Sequence, residues 1–238
     1  MRKGSVRGCR FHMGEVKAIN VDEKWVETQF ERLEYDSLVI ASGTTNNFFG
    51  NAELYKRVFT LKSVAESIRI RNEVLDRLER ASVCSDEAER KRLLSFVVIG
   101  GGPSGVEVAG ALGEMKRYIL RREYPDIKLE DVRIILLEGT DRLLRTMSET
   151  SSKHALEYLG HLMVEVRLNT LMKSYEDCVV TLDNGDKIYS ETVVWTAGVT
   201  GVPLTFIGTQ VERGPGNRFM VDEFNRVKGL KDVYAIGD

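Results

Sequence analysis

Hydrophobic and polar positions along the chain change their period several times, and each change predicts a different element. Residues 14–43 alternate short β-rich stretches (15–21, 25–29 and 35–41) with polar turns and run into Ser42-Gly43. That alternation predicts a small antiparallel meander delivering one buried strand. Leu61, Val64, Ala65, Ile68, Leu75 and Leu78 then recur at helical spacing, which predicts an amphipathic helix over 61–81 with one core-facing stripe. In the charged segment 86–92, Asp86 precedes Arg90 by four residues and Glu87 precedes Lys91 by four, the spacing of a solvated helical connector. Phe96-Val97-Val98-Ile99 is uninterruptedly apolar and predicts a buried strand, after which Val106, Ala109 and Leu112 predict a helix over 103–123. Residues 132–137 form a second buried strand, closed by Glu138 and Gly139. A helix over 149–159 ends at Gly160, and β-rich runs follow at 163–168, 171–175, 179–182 and 192–196, with Asn184-Gly185 as a hairpin turn.

Two of these stretches match each other. Residues 33–43 and 188–198 share one pattern of polar start, apolar strand and small-residue-Gly ending. Two such copies imply two related nucleotide-binding domains. Only the second is preceded by its own glycine-rich strand and helix, and the chain closes on Asp232-Val233-Tyr234-Ala235-Ile236-Gly237-Asp238, a strand delivering Gly-Asp to a ligand. The expectation is therefore an internal segment of a longer protein.

The candidate chemistry sits where strand gives way to helix. Gly100-Gly101-Gly102-Pro103-Ser104-Gly105 is a G-x-G-x-x-G turn between an apolar strand and a helix, the order that a dinucleotide pyrophosphate requires. Gly100 permits the tight turn, Gly102 the approach of backbone to phosphate, and Gly105 close packing of helix on strand. The helix N-terminus faces the anion. Glu138, at the end of the next strand, is placed to accept hydrogen bonds from the adenosine ribose. Its charge disfavours the 2′-phosphate of NADPH, and no Arg or Lys occupies the next three positions, so NADH is the expected nucleotide.

Composition narrows the alternatives. With 238 residues the chain suffices for one large or two medium domains, and 34 basic against 36 acidic residues give no electrostatic basis for binding nucleic acid or an anionic membrane. Cys9, Cys84 and Cys178 have no C-x-x-C or metal-ligand spacing, so no metal site is expected and the pattern fits a reduced, cytoplasmic protein. No apolar run approaches the ~18 residues of a membrane span, so the chain is expected to be soluble. His12, His154 and His161 form no relay with a carboxylate, Ser or Cys and read as surface histidines.

Together, the stretch 35–50, the glycine turn through Glu107, residues 193–199 and residues 234–238 resemble the two-dinucleotide-binding flavoprotein superfamily, and within it the type II NADH dehydrogenases, single-chain NADH:quinone oxidoreductases. Asn47-Phe48-Phe49-Gly50 and Trp195-Thr196-Ala197-Gly198-Val199 are the elements most like that family. The resemblance implies an α/β fold: a Rossmann-like domain of parallel sheet, helices and β-meander inserted in a truncated FAD-binding domain. The boundaries are then 1–60 (partial FAD domain), 61–94 (helical connector), 95–212 (NADH domain) and 213–238 (FAD-domain strand). It further implies that Gly100, Gly102, Pro103, Ser104 and Gly105 hold the pyrophosphate, that Gly101 is a further cofactor-binding residue and that Glu138 holds the ribose. Glu107 would lie near the nicotinamide, and Ala197 and Gly198 near the NADH backbone. Ala41, Ser42 and Gly43 would abut FAD, with Gly237 and Asp238 at its ribityl or phosphate region. No catalytic acid or base is implied, because hydride transfer needs oriented rings. Electrons would pass to a quinone in a parent protein peripheral on the cytoplasmic face of the inner membrane, with a homodimer as one possible assembly. The first FAD glycine fingerprint is absent, so this polypeptide is expected to bind NADH but to lack tightly bound FAD and quinone reductase activity. A disulfide or ferredoxin reductase, a non-catalytic NADH-binding sensor and a protein-binding helix at 61–81 are the alternative readings.

Overall fold

The computed structural model describes residues 8–51 and 53–237. Its first strands are β1 (Val16–Asn20), β2 (Trp25–Thr28), β3 (Arg32–Glu34), β4 (Leu38–Ile40), β5 (Thr44–Asn46) and β6 (Phe59–Thr60). Then come α1 (Val64–Val83), α2 (Glu87–Leu93), β7 (Ser95–Ile99), α3 (Pro103–Glu114), α4 (Leu120–Glu123), β8 (Arg133–Leu137) and α5 (Glu149–His161). The remainder is β9 (Val164–Arg167), β10 (Met172–Glu176), β11 (Val179–Leu182), β12 (Lys187–Tyr189), β13 (Thr192–Trp195), β14 (Val199–Gly201), β15 (Phe206–Ile207) and β16 (Val233–Ala235). The chain divides into two compact units, one of residues 46–199 and one combining 1–45 with 200–238.

The unit of residues 46–199 is built on a parallel sheet in the order β6-β13-β7-β8-β9. Every residue of β7 is buried, which is why its sequence shows no polar alternation: a central parallel strand is covered on both faces. Phe96, Val98, Ile134 and Leu136 pack toward α1, α3 and α5, in one cluster with Leu78, Leu112 and Leu159. Their neighbours Val97, Ile99, Ile135 and Leu137 pack the other way, against Tyr175, Val180, Leu182 and Ile188 of the antiparallel meander β10-β11-β12. Period-two alternation of two apolar layers thus turns one apolar run into a three-layer domain.

The 61–81 helix begins at Val64, because Ser63 caps it: its Oγ accepts the Glu66 amide, and Glu66 Oε2 accepts the Lys62 amide at 2.8 Å. Its buried stripe is Ile70, Val74, Leu78 and Ala81, while Val64, Ile68 and Leu75 are exposed. The expected stripe was therefore displaced around the helix, and only Leu78 is shared. Glu87 and Lys91 do pair, at 2.6 Å. Asp86 does not pair with Arg90; its Oδ1 accepts the Glu89 amide as the α2 N-cap, and Arg90 reaches the Asp126 carbonyl instead.

The single helix expected over 103–123 is interrupted by a π turn at Met115–Ile119 between α3 and α4. Eight steps of a regular helix, at about 100° each, would leave Leu120 about 80° round the axis from Leu112. The wider turn advances less per residue and brings both leucines to the core, at 0% and 7% exposure. Lys116, inside that turn, is buried as well, and burial lowers its ammonium pKa.

In the other unit β15-β1-β2-β3 form one sheet, with β1 antiparallel to β2 and parallel to β15, and β4 pairs in parallel with β16. The strand expected over 35–41 is only β4, because Asp36-Ser37 bends the chain away from β3. Ile19, Ile40, Val227 and Val233 form the small core. The matched stretches have matching conformations: β3 leads into β4, as β12 leads into β13.

Candidate functional site

In the unit of residues 46–199 the site lies at the C-terminal end of the parallel sheet, where β7 and β13 end and α3 begins. Gly100 has φ +107°, and a Cβ there would stand 2.6 Å from the Ala197 Cα. Its amide donates to the Leu137 carbonyl at 2.8 Å. Thr196 Oγ1 donates to the Ile99 and Gly100 carbonyls at 2.8 and 3.1 Å and ties the two strand ends together. Gly105 packs directly on this turn, since a Cβ would sit 1.8 Å from the Gly100 oxygen.

Gly102 differs from both. It is the N-cap of α3, extended at φ −71°, and a Cβ would meet nothing within 4 Å. No side chain caps α3, and Pro103 occupies its first turn. The first intrahelical bond runs from the Val106 amide to Gly102, so the Ser104 and Gly105 amides have no intrahelical acceptor. Open space beside Gly102 together with outward amides at a helix N-terminus fits a pyrophosphate.

Glu138 is half-buried, and its carboxylate is anchored by this turn. Oε2 accepts the Gly101 amide at 2.6 Å, and Oε1 accepts the Thr140 amide and Oγ1 at 2.8 and 2.7 Å. A carboxylate has about four acceptor sites, so one remains for a ribose hydroxyl, and it lies on Oε2. Gly101 is held between Glu138 and Leu143, whose side chain a Cβ would touch at 2.6 Å. Thr140 and Leu143 were not among the expected residues, and no motif marks them.

Toward β13 the unit contains a cavity of about 460 Å³ lined by Ser104 and Glu107 of α3, by Thr196 and Gly198 after β13, and by Lys62, Ser63 and Ser67. Ala197 is turned into the contact with Gly100, and the space beside Gly198 is filled by the Phe49 ring, 2.9 Å from a would-be Cβ. Phe48 stacks on Trp195 at 5.7 Å, Trp195 Nε1 donates to the Asn47 carbonyl at 2.9 Å, and the Asn47 amide donates to the Gly198 carbonyl at 3.0 Å. A larger apolar groove between α1 and α3 adjoins this cavity and shares Leu61, Ser67 and Glu107 with it.

In the other unit Ser42, Gly43 and Gly237 line one cavity of about 350 Å³ with Asn217, Arg218 and Asn225, which sequence reasoning had not singled out. Gly43 and Gly237 have φ +67° and +97°, with open space where a Cβ would be. The Ile236 amide donates to the Ile40 carbonyl, which brings the ends of β4 and β16 together. Ala41 is exposed outside that lining, and Asp238 lies outside the described residues. His12 bonds Glu31 at 2.7 Å, and His154 and His161 are exposed. Among the described residues no group of His, Cys, Asp and Glu is arranged to hold a metal, and no helix is long and apolar enough to cross a membrane.

The model of the pyridine nucleotide-disulphide oxidoreductase family matches residues 3–238. The chain is 32% identical to the type II NADH:quinone oxidoreductase NdhA of Mycobacterium tuberculosis, over 98% of this chain and 52% of that protein. It is 35% identical to a probable NADH dehydrogenase of Dictyostelium discoideum, over 89% and 47%. The structure of NDH2 from Plasmodium falciparum in complex with NADH superposes with a TM-score of 0.85 at 26% identity, over 94% of this chain and 49% of that one. The chain thus spans about half the length of the relatives it matches. The chain belongs to the pyridine nucleotide-disulphide oxidoreductase family of oxidoreductases, and within it resembles the type II NADH:quinone oxidoreductases in both sequence and fold.

Proposed function

We propose that the chain serves NADH oxidation in a flavin-linked NADH:quinone oxidoreductase. NADH is held in the unit of residues 46–199, with its pyrophosphate on Gly102 to Gly105 and its adenosine ribose on Glu138. The observation that carries this reading is the pairing of an uncapped α3 N-terminus beside open Gly102 with a carboxylate that keeps one acceptor site on Oε2. Adenosine lies toward β8, where Glu138 stands, so the nicotinamide runs toward β13 and the cavity holding Glu107.

FAD bound at the cavity of Ser42, Gly43 and Gly237 would supply the redox chemistry that links NADH oxidation to a quinone. This chain's own part is to orient. The helix dipole and amides of α3 fix the pyrophosphate, Glu138 fixes the ribose, and Thr196 holds the β7 and β13 ends in register, so the nicotinamide is presented in one position. In the other unit Ser42, Gly43 and Gly237 would contact FAD. Quinone is lipid-soluble, and relatives are named as mitochondrial quinone reductases, which supports a peripheral membrane location for the working protein.

Isothermal titration of the purified chain with NADH and with NADPH tests this reading. NADH binding at least tenfold tighter than NADPH is expected, and failure to bind either nucleotide would refute it.

A further inference from the structure

The cavity beside β13 has a wall that no motif announces. β6 lies next to β13 in the sheet, so the residues after β6 leave from the edge at which Thr196 and Gly198 leave β13. Lys62 lines this cavity together with Ser104 and Glu107. Its backbone is pinned: the Lys62 amide donates to Glu66 Oε2, Ser63 caps α1, and Glu66 Oε1 accepts the Thr60 hydroxyl. The ammonium is therefore carried by a segment tied to both the sheet and the helix.

We propose that Lys62 is a positioning residue that sets the relative affinity of the site for the two redox states of the nicotinamide. The inference rests on the reading that NADH binds here with its nicotinamide toward β13. The dihydronicotinamide ring of NADH is neutral. When the C4–H bond breaks and its electron pair leaves with the hydrogen, the ring of NAD⁺ carries a positive charge. An ammonium in the same cavity raises the energy of that cation and leaves the neutral ring nearly unaffected, so Lys62 favours NADH and hastens loss of NAD⁺. Glu107 acts in the opposite sense. For unit charges taken as about 7 Å apart across such a cavity, an effective dielectric between about 40 and 80 would give a roughly three- to sevenfold effect on the affinity ratio.

The test is titration of the chain with NADH, NAD⁺ and ADP-ribose, which lacks the nicotinamide, for the original sequence, Lys62→Met and Lys62→Arg. Lys62→Met is expected to lower the ratio of NADH to NAD⁺ affinity by roughly three- to sevenfold, to leave ADP-ribose affinity unchanged, and to have its effect reversed in Lys62→Arg. An unchanged ratio with ADP-ribose still bound would overturn the role of Lys62 and leave the dinucleotide site standing. Weakened ADP-ribose binding in Lys62→Met would also overturn it, since the lysine would then serve the pyrophosphate. If the original sequence binds neither ADP-ribose nor NADH, the site reading falls and this inference falls with it.

Discussion

Gly102 and Gly105 lie three residues apart in one turn, yet alanine at each is expected to fail for a different reason. At Gly105 the new Cβ would be 1.8 Å from the Gly100 oxygen and 2.8 Å from Thr196 Oγ1. Both belong to the strand ends that the helix packs upon, so α3 must move by more than about 1 Å. Overpacking of that kind typically costs about 1–3 kcal/mol. At roughly 2–4 °C per kcal/mol for a protein of this size, Tm should fall by about 2–12 °C. At Gly102 the Cβ meets nothing within 4 Å and φ is −71°, which alanine adopts readily. The poorer N-cap is offset by the lower entropy of the unfolded chain, so stability should change by less than about 1 kcal/mol. The methyl group nevertheless fills the space assigned to the pyrophosphate. Thermal unfolding and titration with ADP-ribose separate the two: Gly105→Ala should lose stability and affinity together, Gly102→Ala affinity alone. A Gly102→Ala protein of normal Tm that binds ADP-ribose as well as the original would refute the assignment of that space to phosphate.

Glu138→Ala should act on specificity and stability at once. It removes the acceptor of the buried Gly101 amide, at a cost of about 1–3 kcal/mol, and relaxes discrimination against NADPH by roughly tenfold or more; unchanged selectivity in paired titrations would count against its ribose role. Glu66 governs an acid-sensitive contribution to folding. Burial pushes its pKa up, but hydrogen bonds from Thr60, the Lys62 amide and Ser63 outweigh this and hold it below its ordinary value. A carboxylate depressed in the native state stabilises fully above its unfolded pKa and loses that contribution as pH falls through the native value. The stability gap between the original and Glu66→Ala, read from urea midpoints, should be constant near neutrality and shrink below about pH 4.5; a gap that persists at lower pH would contradict this.

What the sequence made legible was whatever depends on neighbours along the chain. The apolar run of β7, the glycine turn and the periodicity after Pro103 are local consequences of strand burial and helix packing, and Glu138 followed from its place at the next strand end. The duplication of residues 33–43 in 188–198 was readable because both stretches perform the same transition from meander to parallel strand. The features that escaped depend on long-range packing. β6 has only two residues, Phe59 and Thr60, too short for any period, yet its place beside β13 brings Lys62 to the site. The π turn contains neither proline nor glycine, so no local signal marks it, and it leads directly into the fully buried Leu120. In α1, apolar residues lie on more than one face, so spacing alone selected Ile68 and Leu75 where the sheet receives Ile70 and Val74.

The hydrogen bond between Asn47 and Gly198 bears on how the chain reaches this fold. Residues 46–199 form an uninterrupted unit, whereas the other unit must pair Leu38 with Val233 and Ile19 with Phe206 across nearly the whole sequence. Closing such a loop from an unfolded chain is slow, and sequence-distant pairing is what delays folding. Once the continuous unit has formed, its entering and leaving strands are joined at Asn47 and Gly198, and the connection still to be closed shortens several-fold. The entropic gain is on the order of 1 kcal/mol. The topology thereby favours one order of assembly: with the contiguous half shut like a clasp, the segments 16–40 and 206–235 pair as near neighbours.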